Sequence, residues 1–144
     1  MNASTRSQAR NPIAVSEGQA KESFVDWTKY DGERVVSSTG GAIYLVMNGQ
    51  LRWIPDVATY NDLFTTWNGI NQDDYLVDNV PMGTPLSSGA LLARGAASAP
   101  QYLVTNGQKC WIPSPAVLTQ FNFKQATAYP QIMVDYIPTG ANVG

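Results

Sequence analysis

Two short segments of the chain alternate apolar and polar residues on both sides of an Asn-Gly pair. Residues 44–55 read YLVMNGQLRWIP, and residues 102–113 read YLVTNGQKCWIP. A type I′ turn requires positive φ at both central residues, and Asn-Gly tolerates this well, so each segment is predicted to form a two-residue β-hairpin. The register that follows places Tyr44 opposite Trp53 and Tyr102 opposite Trp111.

The two segments belong to a longer internal duplication. Nine of their twelve positions are identical at a spacing of 58 residues. Downstream, residues 76–83 resemble 133–140, and upstream, residues 32–36 resemble 89–93, both at a spacing of 57. A fixed spacing of this size is typical of tandem structural repeats. The repeats are predicted to run from about residue 32 to 88 and from 89 to 144.

A helix is predicted after each hairpin. Asp56 and Ser114 are suited to be N-caps, because their side-chain oxygens can accept hydrogen bonds from the first free backbone N–H groups. The apolar positions at helical spacing are Val57, Tyr60, Phe64 and Trp67 in the first repeat and Val117, Leu118 and Phe121 in the second. The second helix is expected to end near Asn122.

A Val-Asp pair recurs three times, with its acid at Asp26, Asp78 and Asp135. We predict a strand at each copy: Phe24–Trp27, residues 75–80 and residues 132–137. The first copy would cap the first repeat, as end units do in repeat proteins. This divides the chain into a flexible N-terminal arm (1–22), a capping strand plus repeat 1 (23–88) and repeat 2 (89–144).

The predicted fold class is therefore α+β, with two tandem β-hairpin–helix–strand repeats that form one pseudo-symmetric domain. Helices would pack on small antiparallel sheets, with the aromatic residues of the hairpins on one sheet face.

Charge and hydropathy narrow the classes of partner. Charged residues make up 14% of the chain, and the net charge is −2. Nucleic-acid binding needs a basic face, so this class is not expected. No apolar run approaches the roughly 20 residues that a membrane-spanning helix needs, and residues 1–21 lack the apolar stretch of a signal peptide. The sequence alone leaves the cellular location open.

The sequence contains no histidine and one cysteine, Cys110. Without histidine, the commonest general base and metal ligand are missing, so neither an enzyme nor a metal or other cofactor is expected. Cys110 is predicted to be a buried structural thiol. The group Asn71, Asp73 and Asp74 lacks the spacing of a calcium loop. A glycoside hydrolase with two carboxylates stays open as a third, weaker hypothesis.

The pattern Y-L-V-x-N-G-x-x-x-W-I-P, followed by a short helix and a segment ending in P-x-G, resembles tandem repeats of bacterial cell-wall and surface proteins. Residues 102–118 match best, and the resemblance covers nearly all of 32–144. It departs where Arg52 is replaced by Cys110 and where Leu51 stands in place of Lys109. The resemblance implies a surface-binding role and an extracellular or cell-surface location, and it supplies no catalytic residues.

The hairpin aromatics are the first candidate ligand-binding residues: Tyr44, Trp53, Tyr102 and Trp111. An aromatic face matches the apolar C–H face of a sugar ring. The alternative is that each pair is a cross-strand aromatic contact buried in the core.

Polar residues supply the other candidates: Asn48, Gln50, Asn106 and Gln108 at the hairpin tips, and Asp78 and Asp135 in the Val-Asp pairs. Loop tips commonly carry recognition. The turn itself explains the two asparagines but not the repeated glutamine. The aspartates could accept hydrogen bonds from ligand hydroxyls, or they could hold neighbouring backbone N–H groups.

These observations favour a non-enzymatic, lectin-like module that binds a carbohydrate or cell-wall polymer at two pseudo-equivalent sites. Duplicated weak sites would give avidity. The alternative is a structural or protein-interaction subunit of a surface, appendage or phage assembly, which would self-associate or bind a surface protein.

Overall fold

Two four-stranded sheets of matching topology form the protein. The computed structural model describes residues 25–144. The elements are a 3-10 helix (Trp27–Tyr30), β1 (Arg34–Val36), β2 (Ile43–Met47), β3 (Gln50–Trp53), α1 (Val57–Leu63), β4 (Asn71–Gln72), α2 (Asp74–Asn79), β5 (Leu91–Gly95), β6 (Gln101–Thr105), β7 (Gln108–Ile112), α3 (Pro115–Gln120), β8 (Thr127–Tyr129) and α4 (Gln131–Asp135). The strand orders are β3-β2-β1-β4 and β7-β6-β5-β8. The α+β, pseudo-symmetric fold class is confirmed.

The two hairpins have the predicted register. Tyr44 pairs with Trp53, and Tyr102 pairs with Trp111. Asn48 and Asn106 both have φ of 54°, and the glycines that follow them have φ of 73° and 74°. These are the positive values that a type I′ turn requires. Local turn chemistry thus determines the alignment of each hairpin.

Helices α1 and α3 begin where the caps predict. The Asp56 carboxylate accepts the Thr59 N–H at 2.7 Å, and the Ser114 hydroxyl accepts the Val117 N–H at 3.2 Å. However, α1 ends at Leu63, so the prediction that Phe64 and Trp67 lie on its apolar face is wrong. The chain after α1 becomes extended because it pairs with the other repeat: the Thr65 N–H donates to the Asn122 carbonyl at 3.0 Å.

The Val-Asp segments are helical, so the predicted strands at 75–80 and 132–137 are wrong. They form α2 and α4, while the residues just before them, β4 and β8, pair in parallel with β1 and β5. The physical reason is a helical period: Leu76 and Val80, four residues apart, are both buried. The Asp73 carboxylate starts α2 by accepting the Leu76 N–H at 3.0 Å.

The predicted capping strand is also not formed. Val25 and Asp26 lie outside any strand, and Trp27 begins a 3-10 helix that Asp26 caps through the Thr28 N–H at 3.1 Å. Phe24 and the predicted arm, residues 1–22, lie outside the described residues. The 3-10 helix nevertheless covers the first repeat, because Trp27 and Tyr30 pack against a small buried cluster on the outer face of the first sheet.

Both repeats contribute to one main core. Leu45, Leu103 and Phe121 are fully buried in it. Strand registers also correct the upstream alignment by one residue. Arg34 pairs with Leu45 and Leu92 pairs with Leu103, so Leu92, and not Leu91, is the counterpart of Arg34.

The segments after α2 and α4 follow equivalent paths along the hairpin edges. The Leu86 N–H donates to the Trp53 carbonyl at 2.9 Å, and the Val143 N–H donates to the Trp111 carbonyl at 2.8 Å. Leu86 and Val143 both reach the main core. Residues 140–143, after α4, thus lie along the second hairpin in the same way as residues 83–86, after α2, lie along the first.

Candidate functional site

The hairpin aromatics are only partly buried. Trp53 and Trp111 are each 40% exposed. Tyr44 packs against the small outer cluster of the first sheet, and the ammonium group of Lys109 lies 5.1 Å from the centre of the Tyr102 ring. The tryptophans therefore keep surface available for a ligand.

A cleft of about 390 Å³ opens beside the first hairpin. Ile43, Trp53, Asp56, Tyr60 and Trp67 line it. Trp67 is 46% exposed and stacks on Tyr60, with 3.9 Å between ring centres and 25° between ring planes. The lining is mostly apolar, with a few polar atoms, as is usual for small-molecule sites.

Trp67 owes its position to a loop rather than to a helix. Its indole N–H donates to the Asn61 side-chain oxygen at 2.8 Å. The Tyr60 hydroxyl donates to the Thr66 carbonyl at 2.7 Å, and the buried Arg34 guanidinium donates to the carbonyls of Thr66 and Asn68 at 2.8 and 2.9 Å. Helical spacing predicted Trp67 on a helix face, and Arg34 was not among the predicted site residues. The signal that was present is the Asn-Gly pair after Trp67, which marks a turn.

Asp56 places a charged group in the cleft lining. Its carboxylate accepts the Ser88 hydroxyl at 2.6 Å in addition to capping α1. The hydrogen bond from Ser88, together with that from the Thr59 N–H, lowers the pKa of Asp56. Asp56 is therefore ionised at neutral pH and acts only as a hydrogen-bond acceptor.

The second repeat differs at the corresponding place. Strand register puts Gln101 at the position of Ile43, and the Gln101 side chain bonds to Gln125 at 3.2 Å and to the Ala126 N–H at 2.9 Å. The caps Asp56 and Ser114 lie 58 residues apart, whereas Asn71 and Thr127, which pair with equivalent strand positions, lie 56 apart. The first repeat therefore has two additional residues in the loop that carries Trp67.

The tip asparagines bind backbone of the opposite repeat. The Asn48 amide donates to the Asn142 carbonyl at 2.8 Å and accepts the Gly144 N–H at 2.7 Å. The Asn106 amide donates to the Pro85 carbonyl at 3.1 Å. The two asparagine side chains therefore hold backbone of the opposite repeat in place, and this structural role adds to their role in the turn.

The repeated glutamines also have a structural explanation. Gln50 lies against Gly83, where a Cβ would come within 2.6 Å of the glutamine side-chain oxygen. Gln108 lies in the same way against Gly140, at 2.8 Å. The glutamine side chain therefore packs directly on the backbone of the P-x-G segment, at the position where glycine leaves room for it. Both glutamines remain exposed on their other side.

The repeated aspartates lie on helices, away from the residues that line the cleft. Asp78 is exposed on α2, and Asp135 accepts the Gln131 amide at 2.9 Å within α4. In the group beside α2, Asp73 caps the helix and Asp74 accepts the Ser38 N–H and hydroxyl at 2.8 and 2.6 Å. Within residues 25–144, no three acids or cysteines are grouped so that they could hold a metal ion.

Cys110 is buried in the main core. Burial raises the pKa of its thiol, and the nearby Arg52 opposes this shift only in part. A raised pKa keeps the thiol protonated and weakly nucleophilic.

Comparisons with known proteins gave no match, whether against protein-family models, curated proteins or solved structures. In the part of the chain that the structure describes, no helix is long and apolar enough to cross a membrane.

Proposed function

We propose that the protein is a non-enzymatic carbohydrate-binding module whose site is the cleft between Trp53 and Trp67. The observation that carries this proposal is that two tryptophans, 40% and 46% exposed, line one cleft whose floor is formed by the core residues Ile54 and Tyr60. Large aromatic residues are rarely left exposed in a concave surface without a binding role.

The chemistry of the lining suits a neutral sugar ring. The tryptophan faces can stack on the apolar C–H face of a pyranose, while polar atoms bind its hydroxyls. Asp56 is ionised and can accept a hydrogen bond from a sugar hydroxyl beside those from Thr59 and Ser88, and its charge repels acidic sugars. A neutral cell-wall or surface polysaccharide is therefore the proposed class of ligand.

The decisive experiment compares the two equally exposed hairpin tryptophans. Trp53→Ala and Trp67→Ala should each weaken retention on insoluble neutral polysaccharides by about tenfold or more, as truncation of a tryptophan at the centre of a site does. Trp111→Ala is the matched control, because Trp111 has the same exposure and the same hairpin position but does not line this cleft. It should bind like the wild type.

The outcomes separate the hypotheses about this surface. Equal losses for Trp53→Ala and Trp111→Ala would instead support two equivalent sites. Failure of the wild type to bind any neutral polysaccharide, measured by retention and by calorimetry, would overturn the carbohydrate proposal.

A second candidate function, as a structural or protein-interaction subunit, is favoured by one face of the second repeat. Ile132 and Met133 on α4 and Tyr136, the residue that caps its C-terminus, are all exposed. At the first hairpin tip, a Cβ on Gly49 would meet Thr28 at 3.4 Å, whereas one on Gly107 would meet nothing within 4 Å among residues 25–144. The 3-10 helix therefore covers a surface in the first repeat that is open in the second.

Self-association through this face would appear as a concentration-dependent mass in light scattering. Met133→Ser combined with Tyr136→Ser should then abolish it without changing the melting temperature. A wild type that stays monomeric at high concentration would contradict self-association.

A further inference from the structure

The residues that build the cleft distinguish the first repeat from the second. Strand register makes Leu92 the counterpart of Arg34, and distance from the helix cap makes Leu118 the counterpart of Tyr60. Each of the four side chains is buried. The core therefore accepts leucine at both positions, and the arginine–tyrosine pair must serve something other than filling space.

The hydrogen-bond partners of the buried Arg34 guanidinium are all neutral, and the Phe64 ring, 5.6 Å from the guanidinium carbon, adds a cation–π contact. Arg34 is 3% exposed, and its partners are the Tyr60 hydroxyl and the carbonyls of Thr66 and Asn68. Its Nε has no hydrogen-bond partner within the described residues. Leucine fills the equivalent buried position in the second repeat, so core packing alone does not require an arginine here.

The hydrogen bonds of Arg34 instead explain why the loop 66–69 has a fixed conformation. The two carbonyls that Arg34 binds flank Trp67 on either side. Gly69, with φ of 86°, brings the chain so close that a Cβ would lie 3.0 Å from the guanidinium. A planar guanidinium can bind two carbonyls at a fixed separation, which a lysine ammonium cannot do in the same way.

We propose that Arg34 is the positioning residue of the carbohydrate site: it fixes the loop 66–69 so that Trp67 stacks on Tyr60 and faces the cleft. Because the second repeat has leucines at the equivalent positions and a loop shorter by two residues, binding is confined to the first repeat. This inference rests on the proposed function and deepens it: each chain holds one segment of neutral sugar, and the duplication supplies the scaffold.

The test begins without ligand. The protein is labelled with 5-fluorotryptophan, and the Trp67 resonance is assigned with Trp67→Phe. In Arg34→Leu, which installs the residue of the second repeat, the Trp67 resonance should move towards the position of an unfolded chain, while the Trp111 resonance should stay in place. The melting temperature should fall, because three hydrogen bonds are lost, and the unchanged Trp111 resonance would show that the protein is still folded. Leu92→Met is the matched control and should leave the Trp67 resonance unchanged.

A second variant guards against a general effect of the core substitution. Gly69 lies in the exposed loop, and the Cβ of Gly69→Ala would move this loop away from the guanidinium. This variant should therefore displace the Trp67 resonance as Arg34→Leu does, without a change in the core. A Trp67 resonance that is unchanged in Arg34→Leu would overturn the positioning role, whatever the effect of Gly69→Ala.

Ligand binding then tests the second half of the inference. Calorimetry with a soluble neutral oligosaccharide should give one site per chain for the wild type and about a tenfold loss of affinity for Arg34→Leu. Two sites per chain, or undiminished affinity in Arg34→Leu, would overturn it. If the wild type binds no sugar, the proposed function and the single-site statement both fail, whereas the fluorine spectra alone decide whether Arg34 positions Trp67.

Discussion

The side-chain amide of Asn48, at the tip of the first hairpin, donates a hydrogen bond of 2.8 Å to the backbone carbonyl of Asn142 in the second repeat. The same side chain accepts the Gly144 N–H at 2.7 Å. Asn106 makes the equivalent bond to Pro85. Asparagine therefore performs two tasks at each tip: it tolerates the positive φ of the turn, and it holds the closing segment of the opposite repeat.

Asn48→Gly separates these two tasks. Glycine keeps the turn, since it adopts positive φ without strain, but it cannot bind the closing segment. We expect a loss of about 1 kcal/mol in the free energy of unfolding for the lost hydrogen bonds, together with faster amide exchange at Gly144.

Asn122→Gly provides the control, because Asn122 also has a positive φ, 57°. It should show neither effect. If both variants lose the same stability, the contribution of Asn48 lies in the backbone alone, and its bonds to the second repeat contribute nothing.

Val143 should contribute to stability as Leu86 does. It is fully buried in the main core, and its N–H continues the edge of β7. Val143→Ala removes two buried carbon atoms, so we expect a loss of about 2 kcal/mol in urea unfolding. Met82→Ala, at an exposed neighbour of the same edge segment in the first repeat, should change stability by less than about 0.5 kcal/mol. Equal small effects would show that the closing segment is not part of the cooperative core.

The parts of the fold that were predictable from sequence are those with local causes. The hairpin register follows from Asn48-Gly49 and Asn106-Gly107, since the turn type alone fixes the pairing. The caps Asp56 and Ser114 act within three residues. These signals do not depend on the rest of the chain.

The parts that were not predictable depend on tertiary contacts. Helices as short as α2 and α4 are marginal on their own, and packing of Leu76 and Val134 on the sheets stabilises them. The site was obscured for a similar reason. Trp67 follows α1 at helical spacing. Its loop leaves the helix because Thr65 pairs with Asn122 of the second repeat and because Arg34, 33 residues earlier in the chain, binds the carbonyls on either side of Trp67. A charged residue in an alternating strand is normally read as a surface position.

Cys110 should report on opening of the core. Because burial raises the pKa of its thiol and limits access, a disulfide reagent should modify it slowly in the folded protein and rapidly in denaturant. It is the only cysteine in the chain, so a colorimetric assay reads this one site. In Val143→Ala, the reaction should be faster than in the wild type. Rapid modification of the native wild type would contradict the buried position.

Asp56 and Asp31 should give stability effects of opposite sign at neutral pH. Hydrogen bonds from Ser88 and Thr59 lower the pKa of Asp56. For Asp31, burial raises the pKa, and the hydrogen bond from the Gly49 N–H opposes that shift only in part. A single pH series can therefore compare a carboxylate that the fold favours in its charged form with one that it disfavours.

The signs follow from which state holds the proton more tightly. The lowered pKa of Asp56 gives stability that is present above the unfolded value, about 4, and is lost as the pH falls through the folded value. Asp56→Asn should therefore lower the melting temperature at pH 7, and the difference from the wild type should shrink below about pH 4.

Ionised Asp31 instead lowers the stability of the fold at a pH above its unfolded pKa. This cost is complete above the raised folded pKa, and it disappears as the pH falls from the folded pKa to the unfolded pKa. Asp31→Asn should raise the melting temperature at pH 7. Near pH 3.5 it should have little effect, because this pH lies below both the unfolded and the folded pKa of Asp31, and its carboxyl is then mostly protonated in both states. Thermal melts of the wild type and both variants from pH 3 to 8 measure these differences. Curves that differ from the wild type by the same amount at every pH would show that the two substitutions act through packing, and not through the charges of the carboxylates.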